Sequence, residues 1–346
     1  MASGTPSAVA AAGYLAKLAN GKPRIVVSRG VHPHSRQALR TAAHGFGAEV
    51  VEVAMRDGVT DADAWSEAID PGTSAVIFQQ PNFLGAVEDA EALAAAAKEE
   101  SSGGPASDGH VSVSGTPGPA VVVGAYDPIP LGILKPPGEC GVDVAVGEGQ
   151  TLGNRLDFGG PSFGFFATTE AYLRRMPGRI AGETTDVEGR RGFVLTLQTR
   201  EQHIRREKAT SNICTSQALN ALAGVVYLVW LGRHGLVELG ELLLQRTHYA
   251  RERLVALEGV ETLHPQPVVR EFALRLDADV RRVIERCQDQ GVNPGYALGH
   301  DYPEHADGLL VAITEQRSRA DIDRLADVLG AALAAERTET RTEVAV

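Results

Sequence analysis

The sequence contains little cysteine and few aromatic residues. Its 346 residues include three cysteines, and only 5% are Phe, Trp or Tyr. Cys140, Cys214 and Cys287 are widely separated and lack the spacing of metal ligands, and any disulfide would leave one of them unpaired. Reduced thiols in a cytosolic compartment are therefore the natural interpretation. We expect neither a disulfide framework nor a metal site.

Long hydrophobic runs and an excess of positive charge are also missing. No apolar run approaches the roughly 20 residues needed to span a bilayer, and the N-terminus lacks a basic segment followed by an apolar one. The formal net charge is -11 and the pI is about 5.4. Because nucleic acids are bound by basic faces, this balance argues against nucleic acid as a partner. The sequence predicts a cytoplasmic protein with neither a nucleic-acid nor a membrane partner.

What is present is an alternation of short apolar strands with helical segments. Strands are predicted at residues 24–28, 49–53, 74–79 and 121–124, and helices between them at about 35–46 and 61–68. This alternation is typical of an α/β protein with a parallel sheet. Ligands of such sheets collect beyond the carboxyl ends of the strands. His32, Asn82 and Asp127 each follow a strand and are expected near one pocket, although each could serve only its own loop.

The first turn of the chain is a start signal for a helix. Ser3, Gly4 and Thr5 precede Pro6 and an alanine-rich segment that runs to about Leu18. A glycine before a helix N-terminus leaves backbone N–H groups free to hold an anion. This turn could therefore either cap the helix or bind a phosphate, and the residues do not decide between the two roles.

The remainder of the chain changes composition twice. Residues 101–119 are rich in Gly, Ser and Pro and are predicted to form a mobile surface loop. Apolar residues at helical spacing predict two long helices separated by Gly232, and strands and helices from Val260 onward predict a small α+β domain. The expected division is a large α/β domain at 1–235, a connector helix with the small domain at 236–337, and a frayed tail at 338–346.

The most highly charged stretch lies between Gln198 and Ala221. Cationic side chains here suit carboxylate or phosphate, and the polar residues that follow suit a helix N-cap. On the residues alone, a solvated turn and helix entry is the more common outcome for such a run. The residues that could instead form a binding surface are His203, Arg205, Arg206, Lys208, Thr210 and Asn212.

Five further motifs carry a resemblance. They are P-N-F-L-G at 81–85, L-G-I-L-K-P-P-G-E at 131–139, G-E-G-Q-T-L-G at 147–153, G-G-P-S-F-G-F-F-A at 159–167 and M-P-G-R-I at 176–180. With the charged stretch, they resemble subunit 1 of glycine dehydrogenase (decarboxylating), the P-protein of the glycine cleavage system in its two-subunit form. The resemblance implies a fold of type I, the pyridoxal-phosphate (PLP)-dependent transferase-like fold, with a mainly parallel sheet flanked by helices. Family members have a long N-terminal region before the first turn, so we expect that this region was lost or that the sequence is a fragment.

The same resemblance implies where PLP would be held. In the PLP-binding half of the P-protein, a lysine followed by threonine forms the Schiff base, and G-G-P follows at a fixed separation. Here Gln150 occupies the lysine's place, and a glutamine amide cannot form an imine because its nitrogen lone pair is delocalised. Lys208 is the only lysine expected nearby and is a poor substitute. A vestigial cofactor site is implied at Ser3, Gly4, Thr5, His32, Asn82 and Asp127, with Asp127 at the place of the carboxylate that holds the pyridine nitrogen.

The resemblance leads to a functional expectation. The chain is expected to act as the subunit of glycine dehydrogenase that does not carry PLP and has no catalytic residue of its own. Its expected partners are the PLP-bearing subunit 2, lipoylated H-protein and the substrate glycine. His203 to Asn212 would then line the active site or the subunit interface. Two alternatives remain, a non-catalytic scaffold paralogue and a stand-alone enzyme that binds PLP noncovalently.

Overall fold

The computed structural model describes residues 4–102, 118–156, 160, 162–209, 211 and 216–344, with side chains to residue 339. Elements of the first half, in chain order, are α1 (Thr5–Asn20), β1 (Arg24–Ser28), α2 (Pro33–Phe46), β2 (Glu49–Val53), β3 (Met55–Arg56), β4 (Val59–Thr60), α3 (Ala62–Ala68), β5 (Thr73–Gln80), α4 (Ala90–Glu100), β6 (Val121–Tyr126), β7 (Val144–Glu148) and β8 (Gly164–Thr168). Those of the second half are β9 (Ile180–Thr185), β10 (Arg191–Thr196), α5 (Gln202–Arg205), α6 (Ala218–Val255), β11 (Val260–Thr262), β12 (Glu271–Leu276), α7 (Val280–Asp289), β13 (Tyr296–Ala297), β14 (Gly308–Ala312) and α8 (Arg319–Val344).

A six-stranded sheet organises the first half of the chain. Its order is β2-β1-β5-β6-β7-β8, and every neighbouring pair is parallel except β7 with β8. The β-branched residues of β1, β5 and β6 are buried on both faces, as central strands of a parallel sheet require. The sequence predicted β1, β2, β5 and most of β6, and it missed β7 and β8.

Small residues let α1 lie close against this sheet. Ala8, Ala12 and Ala16 are fully buried, and the helix packs on α2 and on the strands β5 to β8. The dense packing fixes the N-terminus of α1 at the carboxyl edge of the sheet, beside the end of β7. Of the loop predicted at 101–119, residues 103–117 lie outside the described residues.

An antiparallel sheet of order β11-β12-β14-β13 organises the end of the chain. Its core is formed by apolar residues of the sheet, α7 and α8. The tail predicted at 338–346 is corrected in part, because α8 continues to Val344. Glu339 forms ion pairs of 2.8 and 2.5 Å with Arg282 and Arg286 of α7, and these contacts extend the helix. The domain boundaries stay predictions.

The helix α6 connects the two sheets and is broken where the sequence predicted. Gly232 has φ 63° and ψ -174°, a backbone conformation outside the helix that glycine tolerates. Before this break the helix exposes a row of apolar side chains, and Leu219, Val229 and Trp230 are 78%, 77% and 81% exposed. By length and composition α6 could cross a membrane, and 11% of its most apolar window is buried. Its segment before Gly232 is roughly 21 Å long, however, against about 30 Å for a bilayer core.

Candidate functional site at the carboxyl edge of the large sheet

A cavity of about 400 Å³ lies where the carboxyl ends of the parallel strands face the small sheet. This is the position that the parallel-sheet rule predicts for a ligand. Loops after β1, β5, β6 and β7 form one side, and β12 and β14 form the other. The cavity is lined by Thr5, His32, Gln79, Pro81, Phe83, Ala125, Tyr126, Asp127, Glu148, Gln150, Thr151, Arg270, Glu271 and Leu310.

Glu148, the last residue of β7, is bound by the first turn of α1. Its Oε2 accepts a hydrogen bond from the Thr5 N–H at 3.3 Å. Its Oε1 accepts from the N–H groups of Gln150 at 3.1 Å and Phe163 at 3.2 Å. A Cβ at Gly4 would lie 3.2 Å from Oε2, so glycine leaves room for this carboxylate. The sequence motif contained Glu148, but nothing in it indicated this contact.

Asp127 is held by an arginine that the sequence did not single out. Its Oδ2 lies 3.0 Å from Nη1 of Arg270, and the two side chains are only 24% and 15% exposed. Its Oδ1 accepts a hydrogen bond from the Ile129 N–H at 3.1 Å, as in a turn. Burial opposes the charge of Arg270, but Asp127 and Glu271 raise its pKa, and burial also raises the pKa of Glu271. A sequence separation of 143 residues hides this pair from local patterns.

His32 also lines the cavity, where it caps α2. Its Nδ1 accepts a hydrogen bond from the His34 N–H at 3.1 Å, and its ring meets Phe83 edge-on at 4.8 Å. Burial, reinforced by His34, lowers the pKa of His32 to about 4. The imidazole is therefore neutral near pH 7.

Asn82 is absent from the lining, although it follows β5 as predicted. It is fully buried, donates to the Gly58 carbonyl and to Glu88 at 2.8 Å each, and accepts from the Leu84 N–H. Burial raises the pKa of Glu88, the buried acid of this network. Asn82 thus holds its own loop, the alternative that the sequence left open.

The charged segment lies on the surface. His203, Arg205, Arg206 and Lys208 are exposed, and none of them lines the cavity as the described residues define it. Arg206 has φ 54°, a conformation uncommon for a residue with a side chain. Thr210 and Asn212, like Ser3, lie outside the described residues. The interface role of this segment stays a prediction.

The residues of the cavity do not fit a covalently held PLP. Gln150 lines it and cannot form an imine, and all five lysines of the chain, which the structure describes, lie outside the lining. Four of the lysines have partners elsewhere: Lys17 and Lys22 donate to the carbonyls of Gly21 and Ser101, while Lys98 and Lys135 pair with Asp143 and Glu91. The helix N-terminus already contacts Glu148. Nor do the described residues contain a group of three or more His, Cys, Asp or Glu arranged for a metal ion.

Comparison with known proteins finds similar sequences that match most of this chain. A family model described as glycine cleavage system P-protein matches residues 2–329. The probable glycine dehydrogenase (decarboxylating) subunit 1 of Geotalea daltonii is 44% identical over 327 residues, which cover 94% of this chain and 70% of that protein. The protein of the same name from Carboxydothermus hydrogenoformans is 45% identical over 324 residues, covering 94% of this chain and 68% of the relative.

Solved structures show the same likeness. A crystal structure of glycine decarboxylase (P-protein) of the glycine cleavage system, in inhibitor-bound form, superposes with a TM-score of 0.86 at 37% identity, over 96% of this chain and 70% of that one. A sphingosine-1-phosphate lyase of Burkholderia pseudomallei superposes with a TM-score of 0.67 at 18% identity, over 99% and 72%, and shares the fold. The predicted fold type I is confirmed. The match over residues 2–329 and the identity of 44% show that this chain belongs to the glycine cleavage system P-protein family.

Proposed function

We propose that the chain is the subunit of a heteromeric glycine dehydrogenase (decarboxylating) that does not carry PLP. The observation that carries this proposal is that Gln150 lines the cavity in a chain 44% identical to proteins named subunit 1. By the family resemblance, this glutamine stands where a lysine would form the Schiff base. A partner subunit 2 would hold PLP, and the cofactor would supply the electron sink for the decarboxylation of glycine. The aminomethyl group then passes to the lipoyl arm of H-protein. This chain binds and shapes the partner's active site.

The exposed apolar row on α6 supports a second polypeptide as partner. Leu219, Leu222, Val226 and Trp230 line a groove of about 550 Å³ together with the turn at Gly153. Contiguous exposed apolar surface of this kind marks contact sites in proteins. We assign this groove to subunit 2, because the relatives are named as one subunit of an enzyme.

The exposed charged segment supports the same partner. His203, Arg205, Arg206 and Lys208 project into solvent, where their charges can steer an acidic surface or an anionic substrate. No salt bridge within the described residues involves any of these four side chains. Their donors are therefore available to a partner.

Exchange of labelled bicarbonate into glycine tests the proposal. The purified chain is assayed with PLP and lipoylated H-protein, with and without a PLP-bearing subunit 2. We expect exchange only when both subunits are present. Exchange by this chain alone would contradict the role assigned to Gln150. Absence of exchange in both mixtures, with the fold verified by circular dichroism, would favour a scaffold protein instead.

A further inference from the structure

The first turn of α1 in this chain is bonded to one of the chain's own carboxylates. The 16-residue helix has no acidic residue in its first turn and no side-chain cap at Gly4. Its N-terminal end therefore presents partial positive charge that a negative group stabilises. Glu148 supplies that group from 143 residues away, through the hydrogen bond from the Thr5 N–H.

The carboxylate is fixed in place by more than the helix. The N–H groups of Gln150 and Phe163 donate to Oε1, at 3.1 and 3.2 Å, while Thr5 donates to Oε2. Converging backbone N–H groups of this kind can also bind a phosphate. The donors belong to α1, to the turn after β7 and to the residue that precedes β8. Their convergence requires the tertiary fold.

We infer that Glu148 is a built-in anion that fills the phosphate position of the cavity and excludes phosphate-bearing ligands from it. A phosphate brought to the same donors would meet a carboxylate within contact distance, and like charges at that distance repel. Gly4 supports the arrangement, because a Cβ there would lie 3.2 Å from Oε2. The chain thus lacks the phosphate contact as well as the imine-forming lysine.

This inference deepens the proposed function, since it gives a second reason for PLP to reside on the partner. It concerns binding by the full 346-residue chain alone, so its test does not depend on activity of a complex. If the exchange assay fails and the binding test succeeds, the role of Glu148 stands without the enzyme assignment.

Binding of inorganic phosphate, pyridoxal 5′-phosphate and pyridoxal to the wild type and to Glu148→Ala is measured by isothermal titration calorimetry. Removing the carboxylate should strengthen binding of both phosphate compounds by about tenfold or more, the worth of a charge-assisted hydrogen bond, and leave pyridoxal unchanged. The matched control is Glu139→Ala, which removes an exposed carboxylate outside the cavity and should change nothing.

Glu148→Gln is a second variant that keeps the length of the side chain and one acceptor oxygen, while it removes the charge and replaces the other oxygen by an NH2 donor. Thermal unfolding shows which variants are folded. Stronger phosphate binding by either folded variant than by the wild type supports the inference. The inference is overturned if no folded Glu148 variant binds phosphate more strongly than the wild type, or if Glu139→Ala shows an equal gain.

Discussion

The cavity at the carboxyl edge of the large sheet and the outer face of α6 with the charged segment differ in the chemistry of the groups that they leave without a contact. In the cavity, Asp127 is paired with Arg270 and Glu148 accepts three backbone N–H groups. On the outer face, Val229 and Trp230 are 77% and 81% exposed. Among the described residues, the cavity also keeps three buried polar atoms without a hydrogen-bond partner, Tyr126 Oη, Thr151 Oγ1 and Arg270 Nε, which a polar ligand could satisfy. The uncovered apolar surface of α6 would instead gain from contact with a polypeptide.

The largest expected effect on assembly is the loss of association through α6. Val229→Asp places a charge in the apolar row, near its end at Gly232, without touching the buried core. We expect the affinity for subunit 2 to fall by about 2 kcal/mol or more, as at interface hot spots, with no change in the thermal unfolding of the isolated chain. Analytical ultracentrifugation of the two subunits measures this. Gln245→Asp, at an exposed position beyond Gly232, is the control and should associate normally.

Charge reversal in the charged segment tests whether this exposed surface contacts a partner. Arg205→Glu or Arg206→Glu should abolish exchange activity that depends on subunit 2, because each reverses a charge that we propose faces the partner. The isolated chain should keep its circular dichroism spectrum and melting temperature, since both residues are exposed. Full exchange activity in the reconstituted complex would show that the segment is only a solvated turn.

Breaking the ion pair between Asp127 and Arg270 tests how much the contacts within the cavity stabilise the fold. Arg270→Met leaves Asp127 with its hydrogen bond from Ile129 but without a counter-charge. We expect a loss of about 3 kcal/mol in the free energy of unfolding, at the lower end of values for buried pairs because Asp127 is 24% exposed. Urea denaturation measures it. The double variant Asp127→Asn with Arg270→Met should recover part of the loss, and no recovery would mean that packing of Arg270 dominates.

The smallest effect is a pH dependence at His32. Its pKa is lowered from 6.5 to about 4 in the folded chain, so the unfolded chain binds more protons between these values. The free energy of unfolding should therefore fall as the pH falls from 6.5 to 4. His32→Asn keeps a good N-cap for α2 and removes the titrating group. Urea midpoints at pH 7 and pH 4.5 should lie closer together in the variant, and an unchanged difference would contradict this assignment.

Local sequence patterns predicted much of the fold but singled out only four of the 14 residues that line the cavity, Thr5, His32, Asp127 and Gln150. Strand β1 was predicted with its observed bounds, since its apolar run has flanking turn signals. The rule for parallel sheets brought His32 and Asp127 to one cavity, but not Asn82, whose amide is used up by Gly58 and Glu88. Strands β7 and β8 were missed, because the glycine-rich segments after Val146 show no clear alternation of apolar and polar residues.

The sequence by itself determined the family, the α/β class and the absence of a lysine at position 150, because motifs and residue identities are local properties. Only the tertiary structure decided that Glu148 meets the first turn of α1 and that Arg270 meets Asp127. Each contact joins two residues that are 143 positions apart in the sequence. The packing of the two sheets and α1 brings these residues together in space. The tertiary structure also decided that the apolar side of α6 before Gly232 faces outward. Apolar residues at helical spacing predict an apolar face of the helix, but they do not show whether that face is covered by the rest of the protein.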